Sequence, residues 1–247
     1  MDITLAQYGL VAAVAFVAAV LGGIAGYGTG LLLPPILVPI IGAEAVVPVI
    51  SLSALLTNSS RLLAFWKDFD GKKAALVVAA ALPTCLLGAY GYTKLSGANV
   101  TILIGVLLII LVPLRRYANR LHGHLRTQGL IVASGGYGVL VGGTSGSGVV
   151  LLSILLAAGL QGVSVIATDA GISLMLGVVK TSVFQAAGDL TLPLWFMALL
   201  IGLCATPGAF IAKRLSFRLS SSFHTVILDG VVVLGGVMLV IQGFRAL

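Results

Sequence analysis

Gly22-Gly23-Ile24-Ala25-Gly26-Tyr27-Gly28-Thr29-Gly30-Leu31-Leu32-Leu33-Pro34-Pro35 opens a short apolar run, and Gly142-Gly143-Thr144-Ser145-Gly146-Ser147-Gly148 opens a second. Each glycine string lies deep inside charge-free sequence. Asp2 and Glu44 are separated by 41 uncharged residues, and Arg126 and Asp169 by 42. Crossing a hydrocarbon core of roughly 30 Å takes about 20 apolar residues, so each stretch holds one full helix and a shorter piece. At 1.5 Å per residue a dozen residues reach only about 18 Å. The pieces near 30–41 and 148–159 are therefore predicted to be broken or re-entrant helices.

Composition fixes the solvent around them. Of 247 residues, 59% are hydrophobic and 9% charged, where a soluble domain carries about a quarter charged. Too few polar groups exist to cover a water-facing globule, so lipid surrounds most of the surface. The 32 Gly and 8 Pro agree, since both are commoner in membrane helices, and so apolar a chain is not disordered. A net charge of +7 would suggest nucleic acid in a soluble protein; in a membrane protein it reflects Lys and Arg gathered on the cytoplasmic side, and no nucleic-acid partner is expected. Met1-Asp2 lacks the basic region of a signal peptide. Cys85 and Cys204 sit in apolar stretches and read as small hydrophobes.

Further charge-free runs cover 74–93, 95–114 and 190–212, while 45–66, 163–187 and 220–244 are apolar with interior charges. Ten apolar segments result, two of them short. A shift near 118 lays the second half over the first. Gly28-Thr29-Gly30 then meets Gly146-Ser147-Gly148, Gly42 meets Gly159, Ser51 meets Thr168, and Phe65 meets Phe184. Farther on, Lys94-Leu95-Ser96 meets Arg214-Leu215-Ser216. This reads as an internal duplication: a single transmembrane domain over 1–247, repeat one at 1–117, repeat two at 124–247, and a basic cytoplasmic connecting loop at 115–126. With five segments per half the second repeat is inverted. Ten of the fourteen basic residues, in the loops around Lys67, Arg115–Arg126 and Lys213–Arg218, then share one side when both termini lie outside. If the short pieces re-enter, each half has four spans and the inversion needs another origin.

Irregular backbone at membrane depth must line protein or water, so two aligned breaks predict a polar cavity between the repeats. Helix starts present unpaired N–H groups and a positive dipole end, which suit an anion. Gly28, Thr29 and Gly30, with Gly146, Ser147 and Gly148, are its candidate lining; tight glycine packing is the alternative. Arg61 and Lys180 fall at aligned positions inside apolar segments, where a cation by default marks function. Arg offers a fork for an oxyanion and Lys a point charge. Thr57, Asn58 and Thr181 add hydrogen bonds nearby. Snorkelling to the interface is the competing reading. Asp169 is a candidate for ion coupling, or a partner of Lys180, although eleven residues along one helix make direct contact improbable. Glu44 fits a first-turn acid, and His122 and His124 read as solvated. No metal, cofactor or catalytic constellation is visible, so the chain is not expected to be an enzyme.

With these motifs, nearly the whole chain resembles the TauE/SafE sulfite exporter-like family, also grouped as sulfonate uptake permeases. The likeness rests on the Gly22–Pro35 opening, its Gly142–Gly148 counterpart and Thr57-Asn58-Ser59-Ser60-Arg61. The resemblance implies a multi-pass inner-membrane transporter of small sulfur-containing anions such as sulfite or sulfoacetate. Export is favoured, since a negative charge leaving an interior-negative cell gains about 2.3 kcal/mol per 100 mV. Import of a sulfur anion or another small anion, coupled to protons or sodium, stays open, as do a membrane assembly factor, a membrane-embedded enzyme and a homodimer.

Overall fold

The computed structural model describes residues 3–25, 29–95, 97–118, 125–215 and 221–246. Those residues form helices and no strand: α1 (Leu5–Ala25), α2 (Thr29–Leu32), α3 (Pro34–Ile41), α4 (Ala43–Ala64), α5 (Gly71–Tyr92), α6 (Gly97–Ala118), α7 (Thr127–Gly143), α8 (Gly148–Ala157), α9 (Val163–Ala187), α10 (Leu192–Leu215) and α11 (Ser221–Arg245). The predicted segments reappear within a few residues, because a run of apolar residues without water must satisfy its backbone internally, and a helix does so. By length and apolarity α4, α5 and α9 are each able to cross a bilayer. Leu63, Leu87, Phe196, Leu203 and Met238 stand exposed, as side chains facing lipid do. The chain is thus an all-helical, multi-pass membrane protein.

Local signals set the helix ends. Glu44 lies in the first turn of α4, favourable beside the positive end of the helix dipole. Asp70 caps α5 by accepting from the Lys73 backbone N–H at 3.0 Å. The short α8 stops at Gly159, which adopts φ +85, a conformation that costs glycine nothing. The Leu160 N–H then closes back on the Leu155 carbonyl at 3.1 Å. Gly42, its aligned partner, ends α3 with φ +80.

At the centre α4 crosses α9. Flanking them, α10 packs on α4 and α1, while α5 packs on α9 and α7; α6 pairs with α11. Several glycines serve this packing. A Cβ on Gly208 of α10 would stand 2.9 Å from the Phe16 carbonyl oxygen of α1. On α7, Gly138 and Gly142 press against the Ala81 and Cys85 carbonyls of α5. Without a hydrophobic gain between helices in lipid, such close backbone approach is what holds them together. Some buried hydroxyls are satisfied inside their own helices: Ser53 donates to the Ile50 carbonyl at 2.9 Å and Ser153 to Val149 at 2.8 Å.

The direction of α8 decides the nature of the second break. The Leu125 N–H, just before α7, donates to the Ala157 carbonyl at the end of α8 at 2.8 Å. So α8 returns toward the end from which α7 set out, and the chain reverses at 144–147. In the first half α2 and α3 run almost as one helix, the Leu33 N–H reaching the Thr29 carbonyl at 3.1 Å, and both pack on α1.

Candidate functional site

The first turn of α2 meets the break between α7 and α8. A Cβ built on Gly30 would stand 2.6 Å from the Gly146 backbone nitrogen, and one on Gly146 would stand 3.1 Å from the Gly30 carbonyl oxygen and 2.5 Å from Leu31. Gly146 also has φ +80. No side chain fits on either residue, so glycine is required twice over: for the turn, and for the approach of one break to the other. Thr29 and Ser147, the aligned hydroxyls beside this contact, are both buried. Gly148 is the first residue of α8, and Gly28 lies outside the described residues.

Beside the contact, Arg61 and Asp169 join α4 to α9. The Arg61 Nη2 lies 3.0 Å from Asp169 Oδ2, and its Nη1 donates to Asn58 Oδ1 at 3.3 Å. Arg61 keeps 30% of its side chain exposed while Asp169 keeps 4%. Asp169 Oδ1 is buried with no hydrogen-bond partner, 4.0 Å from where a Gly148 Cβ would be. The guanidinium is turned inward onto a carboxylate of the opposite half.

Lys180 takes a different partner. Its ammonium donates to the Val141 carbonyl at 2.8 Å and the Thr144 carbonyl at 2.9 Å. These belong to the last turn of α7 and the residue after it, where carbonyls lack intrahelical donors and the dipole is negative. Two of the three lysine donors are therefore occupied by the break itself. Neither cation snorkels along its own helix; Lys180 is 6% exposed. Thr181, next to it, has a buried hydroxyl with no hydrogen-bond partner, whereas Thr57 donates within its own helix to the Ala54 carbonyl at 3.3 Å.

Some neighbours escaped the sequence reading. The Tyr137 hydroxyl of α7 is buried close to Ser147 and Ser173 and lies within electrostatic reach of Asp169. From the α4–α5 connection, the Asp70 N–H donates to Thr168 Oγ1 at 3.1 Å, and the Phe69 ring lies where a Gly171 Cβ would come within 2.5 Å. These two contacts flank Asp169 on α9. Next to them lies a shallow, open cleft lined by Lys67, Asp68, Phe69, Lys72 and Ser164. A tyrosine in an apolar helix and a phenylalanine in a loop carry no distinguishing pattern in sequence; only the crossing of α4 and α9 brings them here.

Fold and site together define a helical, multi-pass membrane protein whose polar residues collect at two touching helix breaks in its interior. The family model of the sulfite exporter TauE/SafE matches residues 11–239, and the chain belongs to that family. Membership marks a membrane transporter of sulfur anions such as sulfite, with a small anion and the bilayer as its partners. No curated protein and no solved structure matches the chain.

Proposed function

We propose that this chain exports a small sulfur-containing anion, sulfite or an organosulfonate such as sulfoacetate, across the inner membrane by alternating access. The observation that carries the reading is the contact of Gly30 with Gly146 beside inward-turned Arg61. The start of α8, the buried hydroxyls of Thr29 and Ser147 and a fork-shaped cation would together supply a donor set suited to an oxyanion. Arg61, Asn58, Thr29, Gly30, Ser147 and Gly148 would hold the anion. Lys180 would fix the end of α7 and lend its charge and remaining donor, with Thr181 beside it.

Two inverted repeats, 1–117 and 124–247, would rock against each other about this point. Exchange of the halves turns the α1–α10 contact into α7–α5, and α10–α4 into α5–α9, and both members of each pair exist. The hairpin formed by α7 and α8 returns the chain to the side it left, which preserves the sides assigned to the loops. Basic residues Lys67, Lys72 and Lys73 then mark the cytoplasmic end, and Glu44 and Asp189 the outer one. The cleft at Lys67 and Ser164 serves as the cytoplasmic vestibule. Because the interior is negative, outward movement of each negative charge is favoured by about 2.3 kcal/mol per 100 mV.

Counterflow in proteoliposomes tests the reading. Sulfite or sulfoacetate should exchange, and thiosulfate, sulfate and acetate define the selectivity. An imposed potential, negative on the cytoplasmic-facing side, should accelerate export. Exchange that persists undiminished in both Arg61→Ala and Lys180→Ala removes the site from the transport path.

A further inference from the structure

We infer that Asp169 is the built-in counter-anion of the transport site: its carboxylate occupies Arg61 when no substrate is present, and the substrate displaces it. The inference rests on the Arg61-centred reading above and adds what that site does when empty.

The geometry is that of a placeholder. Arg61 meets Asp169 through one nitrogen at 3.0 Å and spends another on Asn58 at 3.3 Å. Arg–carboxylate pairs are frequently two-pronged, and this one is not. The second carboxylate oxygen, Oδ1, is buried without a hydrogen-bond partner, which is costly. It also points to where the carboxylate can go. The start of α8 lies beside it, and the N–H groups of Gly148 and Val149 have no acceptor within the helix. A pyramidal or tetrahedral oxyanion on Arg61 uses both prongs, and the released Asp169 swings onto the α8 start. Asp169 stays buried throughout, whereas the 30% exposure of Arg61 leaves it open to an incoming anion.

The arrangement serves the cycle in two ways. An unpaired arginine inside a membrane is expensive, so Asp169 neutralises it while the empty carrier reorients. The pair also bridges α4 of the first half to α9 of the second, and its opening by substrate releases one half from the other.

Titration calorimetry on the full chain in lipid nanodiscs, with sulfite and sulfoacetate as probes, tests this. Asp169→Asn should bind the accepted probe about tenfold more tightly, equal to about 1.4 kcal/mol, while net efflux from proteoliposomes slows. A merely structural role predicts the opposite sign for binding. Where Asp169→Asn does not fold, Asp169→Ser carries the same expectation. In an Arg61→Gln background, Asp169→Asn should not restore binding, because the gain depends on freeing the Arg61 guanidinium. Unchanged or weaker binding in Asp169→Asn, with binding abolished by Arg61→Gln, overturns the placeholder and leaves the site intact. Binding that survives Arg61→Gln, or neither probe binding even to Asp169→Asn, overturns the site and the placeholder together.

Discussion

Arg61 and Lys180 stand at positions that align in the sequence, and they take different partners. Arg61 crosses the interface to a carboxylate on α9; Lys180 stays within its half and closes the carbonyl end of α7. The difference arises on the facing helix. Thr168 aligns with Ser51, so the position aligned with Asp169 holds Leu52, which offers Lys180 no anion. A duplication copies where a cation sits, but its partner is set by whichever residue the opposing helix presents. On the proposed reading, the first cation is left to bind and release, and the second to hold the fold.

Substitution should separate the two. Arg61→Ala should abolish exchange and lower stability by about 3 kcal/mol, since Asp169 is left charged and unpaired in the interior. The double variant Arg61→Ala/Asp169→Ala should regain the thermal midpoint without regaining transport. Next in size, Gly30→Ala should cost about 3 kcal/mol, because its Cβ would run into the Gly146 backbone. Gly136→Ala on α7, where nothing lies within 4 Å, should be neutral in the same thermal assay. Lys180→Met keeps the apolar stem and removes two charged hydrogen bonds. It should cost about 2 kcal/mol while slowing exchange less than Arg61→Ala does. Equal losses of transport in the two cation variants would erase the proposed division of labour.

The two ends of the α4–α9 crossing differ as well. Lysines cluster at the α4–α5 connection, while Asp189, after α9, lies within reach of Glu44. Burial, and then the Glu44 charge, raises the Asp189 carboxyl above its ordinary value. A raised folded-state value means that its stabilising contribution is present at low pH and is lost as pH rises through that value. Asp189→Asn should therefore flatten the thermal midpoint against pH above about 4, the ordinary aspartate value, and leave the variant the more stable of the two at neutrality. A midpoint in Asp189→Asn that still falls with pH as in the parent would assign the dependence to another group.

Much of the fold was legible before any coordinates. Val163–Ala187 emerged as a helix with its bounds as read, Gly148 opened a short helix as its glycine string implied, and the short segment read at 30–41 is divided into α2 from Thr29 and α3 from Pro34. Apolar length carries that information, since lipid leaves the backbone no alternative partner. The site was legible only in pieces. Arg61, Lys180 and Asp169 stood out because charge in an apolar run is rare, and same-helix spacing correctly argued against contact between Asp169 and Lys180. Nothing in spacing, however, joined Arg61 to Asp169, 108 residues apart, or sent Lys180 to the α7 carbonyls.

Sequence by itself determined the solvent, the helices, the two breaks and the positions of the buried charges, because each follows from local hydrophobicity and backbone chemistry. Tertiary structure alone decided that α8 turns back beside α7, that Gly30 touches Gly146, and which partner each cation takes. Those outcomes depend on which faces of distant helices meet, and the energy of a buried charge is set by the groups it meets there.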